Sequence, residues 1–140
     1  MNYQEKYKDI FTVNEDYYLA HCIASDLRMG AGIAVPMQKK FSLRSKIEHT
    51  GLSTDNPTCI LTGRIFNLIT KSRSSGKPTL QSLEATLHLM KKQVIENNIK
   101  KIAMPKIGCG LDRLQWGQVR EKIHQIFDDT DIEILVCIWN

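Results

Sequence analysis

Apolar positions along this chain fall into two rhythms. Five short runs are nearly continuous in apolar character and have the length of buried strands: Tyr17 to Ile23, Thr58 to Thr62, Ile65 to Thr70, Ile99 to Pro105 and Ile132 to Trp139. Tyr3 to Phe11 is a weaker strand candidate. Three other segments carry a helical period. Ile33, Met37 and Phe41 recur every fourth residue, with Pro36 tolerated in the first turn. Leu80, Leu83, Leu87, Met90 and Val94 alternate spacings of three and four, and Trp116, Val119, Ile123 and Phe127 mark a last helix. Gly63-Arg64 between two apolar runs predicts a hairpin. Ser42 to Pro57 is polar and reads as a helical turn followed by a loop. The predicted order is β-β-α-β-β-α-β-α-β. Strands apolar on both faces need cover on both, which predicts an α/β sandwich with a mixed sheet between helices.

Length and composition narrow this picture. The 140 residues suit a single domain, residues 1–140, and are too few for two ordinary ones. With 42% hydrophobic and 24% charged residues, the composition is that of a globular chain rather than a disordered one. No apolar run approaches the ~20 residues of a membrane span, and the first residues show no secretory signal. The cysteines at 22, 59, 109 and 137 form no Cys-x-x-Cys pair, which argues against a zinc knuckle or redox dithiol and for reduced thiols. The expectation is a cytoplasmic protein, or a nuclear one in a eukaryote, monomeric and without membrane attachment. A net charge of +4 is too small for a chain built to grip a duplex. The local clusters, such as Lys71, Arg73 and Lys77, read as solvated faces or as phosphate contacts.

Two glycine loops change the picture more. Arg28-Met29-Gly30-Ala31-Gly32-Ile33-Ala34 and Ile107-Gly108-Cys109-Gly110-Leu111-Asp112 each follow a strand and precede a helix. Glycine allows positive φ and close approach of backbone to ligand, and the next helix offers free amides. Val35 and Arg113 occupy the third glycine positions, so the dinucleotide-binding fingerprint Gly-x-Gly-x-x-Gly fails in both. Singly each loop reads as a tight turn; as a matched pair they read as a diphosphate grip. Cys109 has neither a phosphatase nor a protease signature around it and is better read as a small residue in its loop. His21 and Cys22 are adjacent in a strand and face opposite sides, which excludes joint ligation of a metal, though His21 remains a pocket candidate. The other histidines are scattered, and no metal or cofactor is expected. Lys71, at the carboxyl end of an apolar strand, and Asp112, closing the second loop, stand where α/β ligand sites gather. From the residues alone both read first as surface charges, and Asp26-Leu27-Arg28 reads equally as an exposed ion pair.

These loops together with Asp9-Ile10-Phe11 resemble the ligand-binding segments of the macrodomain family. The likeness is closest to its terminal ADP-ribose protein glycohydrolase branch. It is carried by Ala20-His21-Cys22-Ile23, the first glycine loop, Leu68-Ile69-Thr70-Lys71, Lys77-Pro78-Thr79, Met104-Pro105 and, most specifically, Ile107 to Trp116. It runs from Asp9 to the final strand. The resemblance implies a macrodomain fold and ADP-ribose, or an ADP-ribosylated protein or nucleic acid, as ligand. It implies that Asp9 and Ile10 meet the adenine, with Trp139 either beside the base or in the core. It implies that Gly30, Ala31, Gly32 and Ile33 enclose the diphosphate and distal ribose with Ile107, Gly108, Cys109, Gly110 and Leu111, and that His21 and Thr70 line the site. In that branch the lysine matching Lys71 attacks the anomeric carbon, and the aspartate matching Asp112 serves as acid or base. An amine nucleophile must be neutral, so the expectation is desolvation or a nearby cation that favours the uncharged amine. Lys8 replaces a glycine common before the adenine-binding aspartate, and Ala24 replaces a hydroxyl residue. The asparagine-rich catalytic segment of other hydrolytic macrodomains is absent.

The expected function is therefore an ADP-ribosyl hydrolase (a glycohydrolase or deacylase). Its acceptor is a glutamate or aspartate ester, O-acetyl-ADP-ribose or an ADP-ribosylated DNA base. Two alternatives stand beside it: a reader that binds ADP-ribose without turnover, and an ADP-ribose-1″-phosphate phosphatase.

Overall fold

The structure, a computed structural model, describes residues 1–110 and 112–139. Six strands, β1 (Asn2–Tyr7), β2 (Tyr18–Ala24), β3 (Thr58–Thr62), β4 (Ile65–Lys71), β5 (Lys101–Met104) and β6 (Glu133–Ile138), form one sheet in the order β1-β6-β5-β2-β4-β3. Every pairing is parallel except β3 with β4, the hairpin turned at Gly63. Four helices cover it: α1 (Ala34–Phe41), α2 (Leu43–His49), α3 (Leu80–Glu96) and α4 (Trp116–Phe127).

Strand alternation divides the interior into two layers. Ala20, Phe66, Leu68, Ile102, Met104, Ile134 and Val136 meet the apolar stripes of α3 and α4 on one face. Leu19, Ile23, Ile65, Ile69, Ala103 and Leu135 meet Met37, Leu43 and Ile47 from α1 and α2 on the other. The three-layer sandwich expected from the apolar strands is what the chain forms. Two elements differ from the sequence reading. The first strand stops at Tyr7, and Ile10–Thr12 is a 3-10 turn capped by Asp9, whose Oδ1 accepts from the Phe11 amide at 3.0 Å. The helical turn after Ser42 is a full helix, α2, so four helices rather than three cover the sheet. Ser42 in the left-handed region breaks α1 from α2, which no glycine or proline had signalled.

This topology fixes where a site can lie. The helix after β2 packs on one face and the helix after β5 on the other, although β2 and β5 are neighbours. A crevice therefore opens between their carboxyl ends, which is where ligands bind in open α/β sheets. Both glycine loops start there.

Candidate active site

The crevice holds a cavity of about 370 Å³. Gly30, Ala31, Gly32 and Ile33 form one wall, and Ile107, Gly108, Gly110 and Asp112 the facing one. A third wall, Ser74 to Lys77, comes from the loop after β4 and was not read as part of the site from sequence. Its signal was only a Ser-, Gly- and Lys-rich stretch; nothing local says that it folds back over the crevice. Cys22, Met29, Pro105 and Lys106 also line the cavity without having been expected as site residues, and so does Ala24, where the resemblance put a hydroxyl residue near the ligand.

A second cavity, of about 280 Å³, adjoins the first at Ile33 and Pro105. Asp9, Ile10, Phe11, Pro36, Cys137 and Trp139 surround it. Trp139 is 66% exposed, so it stands at the mouth of this cavity rather than in the core. Asp9 spends Oδ1 on its cap, and Oδ2 remains for a ligand donor.

Lys71 and Asp112, 41 residues apart in sequence, meet at the floor of the larger cavity. Lys71 Nζ lies 2.5 Å from Asp112 Oδ1 and donates also to the Ser74 carbonyl at 3.2 Å. Their side chains are 13% and 16% exposed. Register explains how Lys71 reaches this place. Ile23 pairs with Ile69 but Ala24 pairs with Lys71, so Thr70 is an extra residue in β4, and a bulge re-aims the side chain beside it. Ser25 then holds the Lys71 carbonyl through its amide at 2.9 Å.

The two glycine loops are fastened differently. In the first, Leu27, Met29 and Gly32 all have positive φ, and Arg44 holds the Leu27 and Arg28 carbonyls at 2.8 and 2.6 Å. No side chain caps α1; the Val35 amide donates to the Gly32 carbonyl at 3.2 Å, and Pro36 in the first turn has no amide to offer. In the second, Gly108 has φ +74°, and a Cβ there would come within 2.9 Å of Leu114 Cδ1. The Leu114 amide also donates to the Gly108 carbonyl at 2.8 Å. Trp116 Nε1 donates to Glu5 Oε2 at 3.0 Å, and the same oxygen accepts from Tyr3 and Arg120. The Leu114-Gln115-Trp116 part of the motif thus anchors the loop instead of touching the cavity.

Three expected site residues lie elsewhere. His21 does not line either cavity: it is fully buried on the α1/α2 face, with Nε2 2.8 Å from Asn67 Oδ1. Asn67 uses its amide hydrogens on Ile60 O, Thr62 Oγ1 and Ile65 O, so its Oδ1 must accept and His21 Nε2 must carry the proton. Burial pushes the imidazole down to about 4. Thr70, the bulge residue, is buried beneath the cavity and its hydroxyl makes no hydrogen bond. Cys109 turns its thiol to the Ile107 carbonyl at 3.3 Å, and burial raises it to about 11, which suits a spacer and not a nucleophile. Leu111 lies outside the described residues. Among the described residues, no three His, Cys, Asp or Glu side chains are grouped to hold a metal ion, and no helix is long and apolar enough to cross a membrane.

Known proteins resemble this chain in sequence and in fold. A model of the Macro domain family matches residues 20–123, well over half the chain. The chain belongs to the Macro domain family. The ADP-ribose glycohydrolase OARD1 of Homo sapiens is 44% identical to this macrodomain over 130 residues, 91% of this chain and 86% of that protein. Among solved structures, the macrodomain of Thermus aquaticus DarG matches with a TM-score of 0.83 at 18% identity, over 96% of this chain and 97% of that one. Thermosipho africanus DarTG in complex with ADP-ribose matches with a TM-score of 0.76 at 18% identity, over 98% of this chain and 41% of that one. At such identities the two structures speak to the fold; the glycohydrolase likeness covers sequence as well.

Proposed function

We propose that this macrodomain is an ADP-ribosyl hydrolase in which Lys71 is the nucleophile and Asp112 the acid/base. The observation that carries the reading is the 2.5 Å contact of Lys71 Nζ with Asp112 Oδ1 on the floor of a cavity walled by two glycine loops. Likeness to a named ADP-ribose glycohydrolase over 91% of the chain supports it. The adenine takes the smaller cavity, its amino group donating to Asp9 Oδ2 and its ring lying by Ile10 and Trp139. The diphosphate and distal ribose take the larger one, against backbone amides of the glycine loops.

The chemistry balances with one shuttling proton. Asp112 takes a proton from the Lys71 ammonium across their hydrogen bond, which leaves an amine. The amine attacks C1″ of the distal ribose, the bond to the acceptor oxygen or nitrogen breaks, and Asp112 returns its proton to the departing group. Water then attacks C1″ of the lysine adduct while Asp112 takes the water proton. The C1″–N bond breaks, ADP-ribose leaves, and the proton passes back to Lys71. No metal is needed in these steps. Glutamate or aspartate esters through O1″, the O1″ isomer of O-acetyl-ADP-ribose and an ADP-ribosylated DNA base all present an anomeric carbon with such a leaving group.

The test is a turnover panel of those three substrates and ADP-ribose-1″-phosphate with wild type, Lys71→Ala, Lys71→Arg and Asp112→Ala. Lys71→Ala should abolish turnover and keep ADP-ribose binding, and Lys71→Arg should fail as well, because a guanidinium stays protonated. Asp112→Ala should slow turnover by about 10²–10⁴-fold, as expected for a lost proton-transfer group. Intact-mass analysis of wild type and Asp112→Ala with substrate, followed by peptide mapping, should place any trapped adduct on Lys71. Full activity in Lys71→Ala ends the covalent reading; binding without turnover across the panel makes the protein a reader.

A further inference from the structure

The loop that closes the third wall is tied to the loop after β2 by one side chain, Asp26, while Asn56 Nδ2 donates to Ser72 Oγ at 2.6 Å near the start of the loop. Ser74 lies in the tight turn closed by the Gly76 amide on the Arg73 carbonyl at 2.9 Å. Its amide donates to Asp26 Oδ2 at 2.8 Å and its hydroxyl to Asp26 Oδ1 at 2.6 Å. Asp26 Oδ1 accepts the Arg28 amide as well, at 3.1 Å. One carboxylate therefore ties the loop after β4 to the start of the first glycine loop. The Ser74 carbonyl, on the far side of the same residue, is the acceptor for Lys71 Nζ at 3.2 Å. Desolvation works against the Asp26 charge, but the hydrogen bonds from Ser74 and Arg28 outweigh it and hold the carboxyl below its ordinary range. The carboxylate is thus fully ionised wherever the protein is folded near neutrality.

We propose that Asp26 is a positioning residue for the hydrolysis: through Ser74 it fixes the carbonyl that, with Asp112, aims the Lys71 amine. The proposal rests on the lysine reading above. Two acceptors set the direction of Nζ, one on the second glycine loop and one on the Ser74 turn. If Asp26 is removed, the turn keeps its own Arg73–Gly76 bond but loses its tie to the crevice, and Lys71 keeps only Asp112 as a fixed partner. Asp26 is exposed, Ser74 is half-buried and neither belongs to the apolar core, so their variants should fold.

The experiment compares Asp26→Ala, Asp26→Asn, Ser74→Ala and Lys71→Ala on an ester-linked ADP-ribosyl peptide, with ADP-ribose affinity measured by calorimetry. Asp26→Ala should lower kcat by roughly tenfold or more, since a misaimed reacting group is costly, with KM and the ADP-ribose Kd held within about twofold. Asp26→Asn has one oxygen for two main-chain amides, Ser74 and Arg28, and should fall between Asp26→Ala and wild type. Ser74→Ala loses only the hydroxyl bond and should fall least. Reductive methylation of the apo protein, read by peptide mapping, should show Lys71 reacting at a changed rate in Asp26→Ala and not in Ser74→Ala. An unchanged kcat in Asp26→Ala beside an inactive Lys71→Ala would overturn the clasp alone. Loss of ADP-ribose affinity in step with kcat would also overturn it, by showing that Asp26 shapes the pocket instead. Full turnover in Lys71→Ala would sink the lysine reading and the clasp with it.

Discussion

The two glycine loops carry nearly the same sequence signal and are built in opposite ways. The first is suspended from outside: Arg44 reaches up from α2 to two of its carbonyls, and non-glycine residues, Leu27 and Met29, take positive φ within it. The second is locked from inside, where a Cβ at Gly108 would run into Leu114 and Leu83 and Trp116 is tied to β1 through Glu5. The difference matches what each loop carries. The first presents mostly backbone and can adjust to its ligand through hydrogen bonds. The second ends in Asp112, whose placement to within a few tenths of an ångström decides whether a proton can cross to Lys71. A glycine in a motif can therefore mean room for a ligand or the absence of room for a side chain.

Gly108→Val breaks the locked loop most directly. Positive φ and the 2.9 Å approach to Leu114 act together, and the substitution should cost about 3 kcal/mol of stability, read by urea unfolding. Acid should act on the sheet beneath the loops. The His21 imidazole is held at about 4 in the fold against ~6.5 when unfolded. Between these values the unfolded chain binds a proton that the folded chain does not. Stability should therefore fall as pH drops from about 6.5 towards 4, by about 2 kcal/mol between pH 7 and pH 5. His21→Leu should lose that slope, and an unchanged slope would mean that the imidazole titrates freely.

Gly110→Val sharpens the contrast with Gly108. Among the described residues, chain neighbours aside, no atom lies within 4 Å of a Cβ at Gly110, so stability should hold while ADP-ribose binding weakens about tenfold, or ~1.4 kcal/mol, by calorimetry. Wild-type affinity in a folded Gly110→Val protein would remove the second loop from the ligand site. The smallest effect belongs to Trp116→Phe. It deletes one hydrogen bond to a carboxylate and should cost about 1 kcal/mol, visible as a modest fall in thermal midpoint.

Much of this was open to sequence reading because it rests on local rules. Near-continuous apolar runs can only be strands covered on both faces, and the spacing of Leu83, Leu87, Met90 and Val94 admits only a one-sided helix. The glycine loops, Lys71 and Asp112 were legible as types of residue at strand ends. Their partnership was legible only through the family resemblance, because 41 residues separate them and the register slip at Thr70 that turns Lys71 into the crevice leaves no mark in composition or period. His21 shows the same limit from the other side. Its strand and facing were implied by alternation, but whether that face met ligand or core depended on Asn67, 46 residues away, arriving opposite it. The Asp26–Ser74 clasp joins two loops across a crevice, and hydrogen bonds of that kind follow from the order of strands in the sheet. Periodicity is set by each segment's own burial and so is written in the segment. Which loops face each other is set by the sheet order and by which face each crossover helix covers, and these belong to the packed chain as a whole.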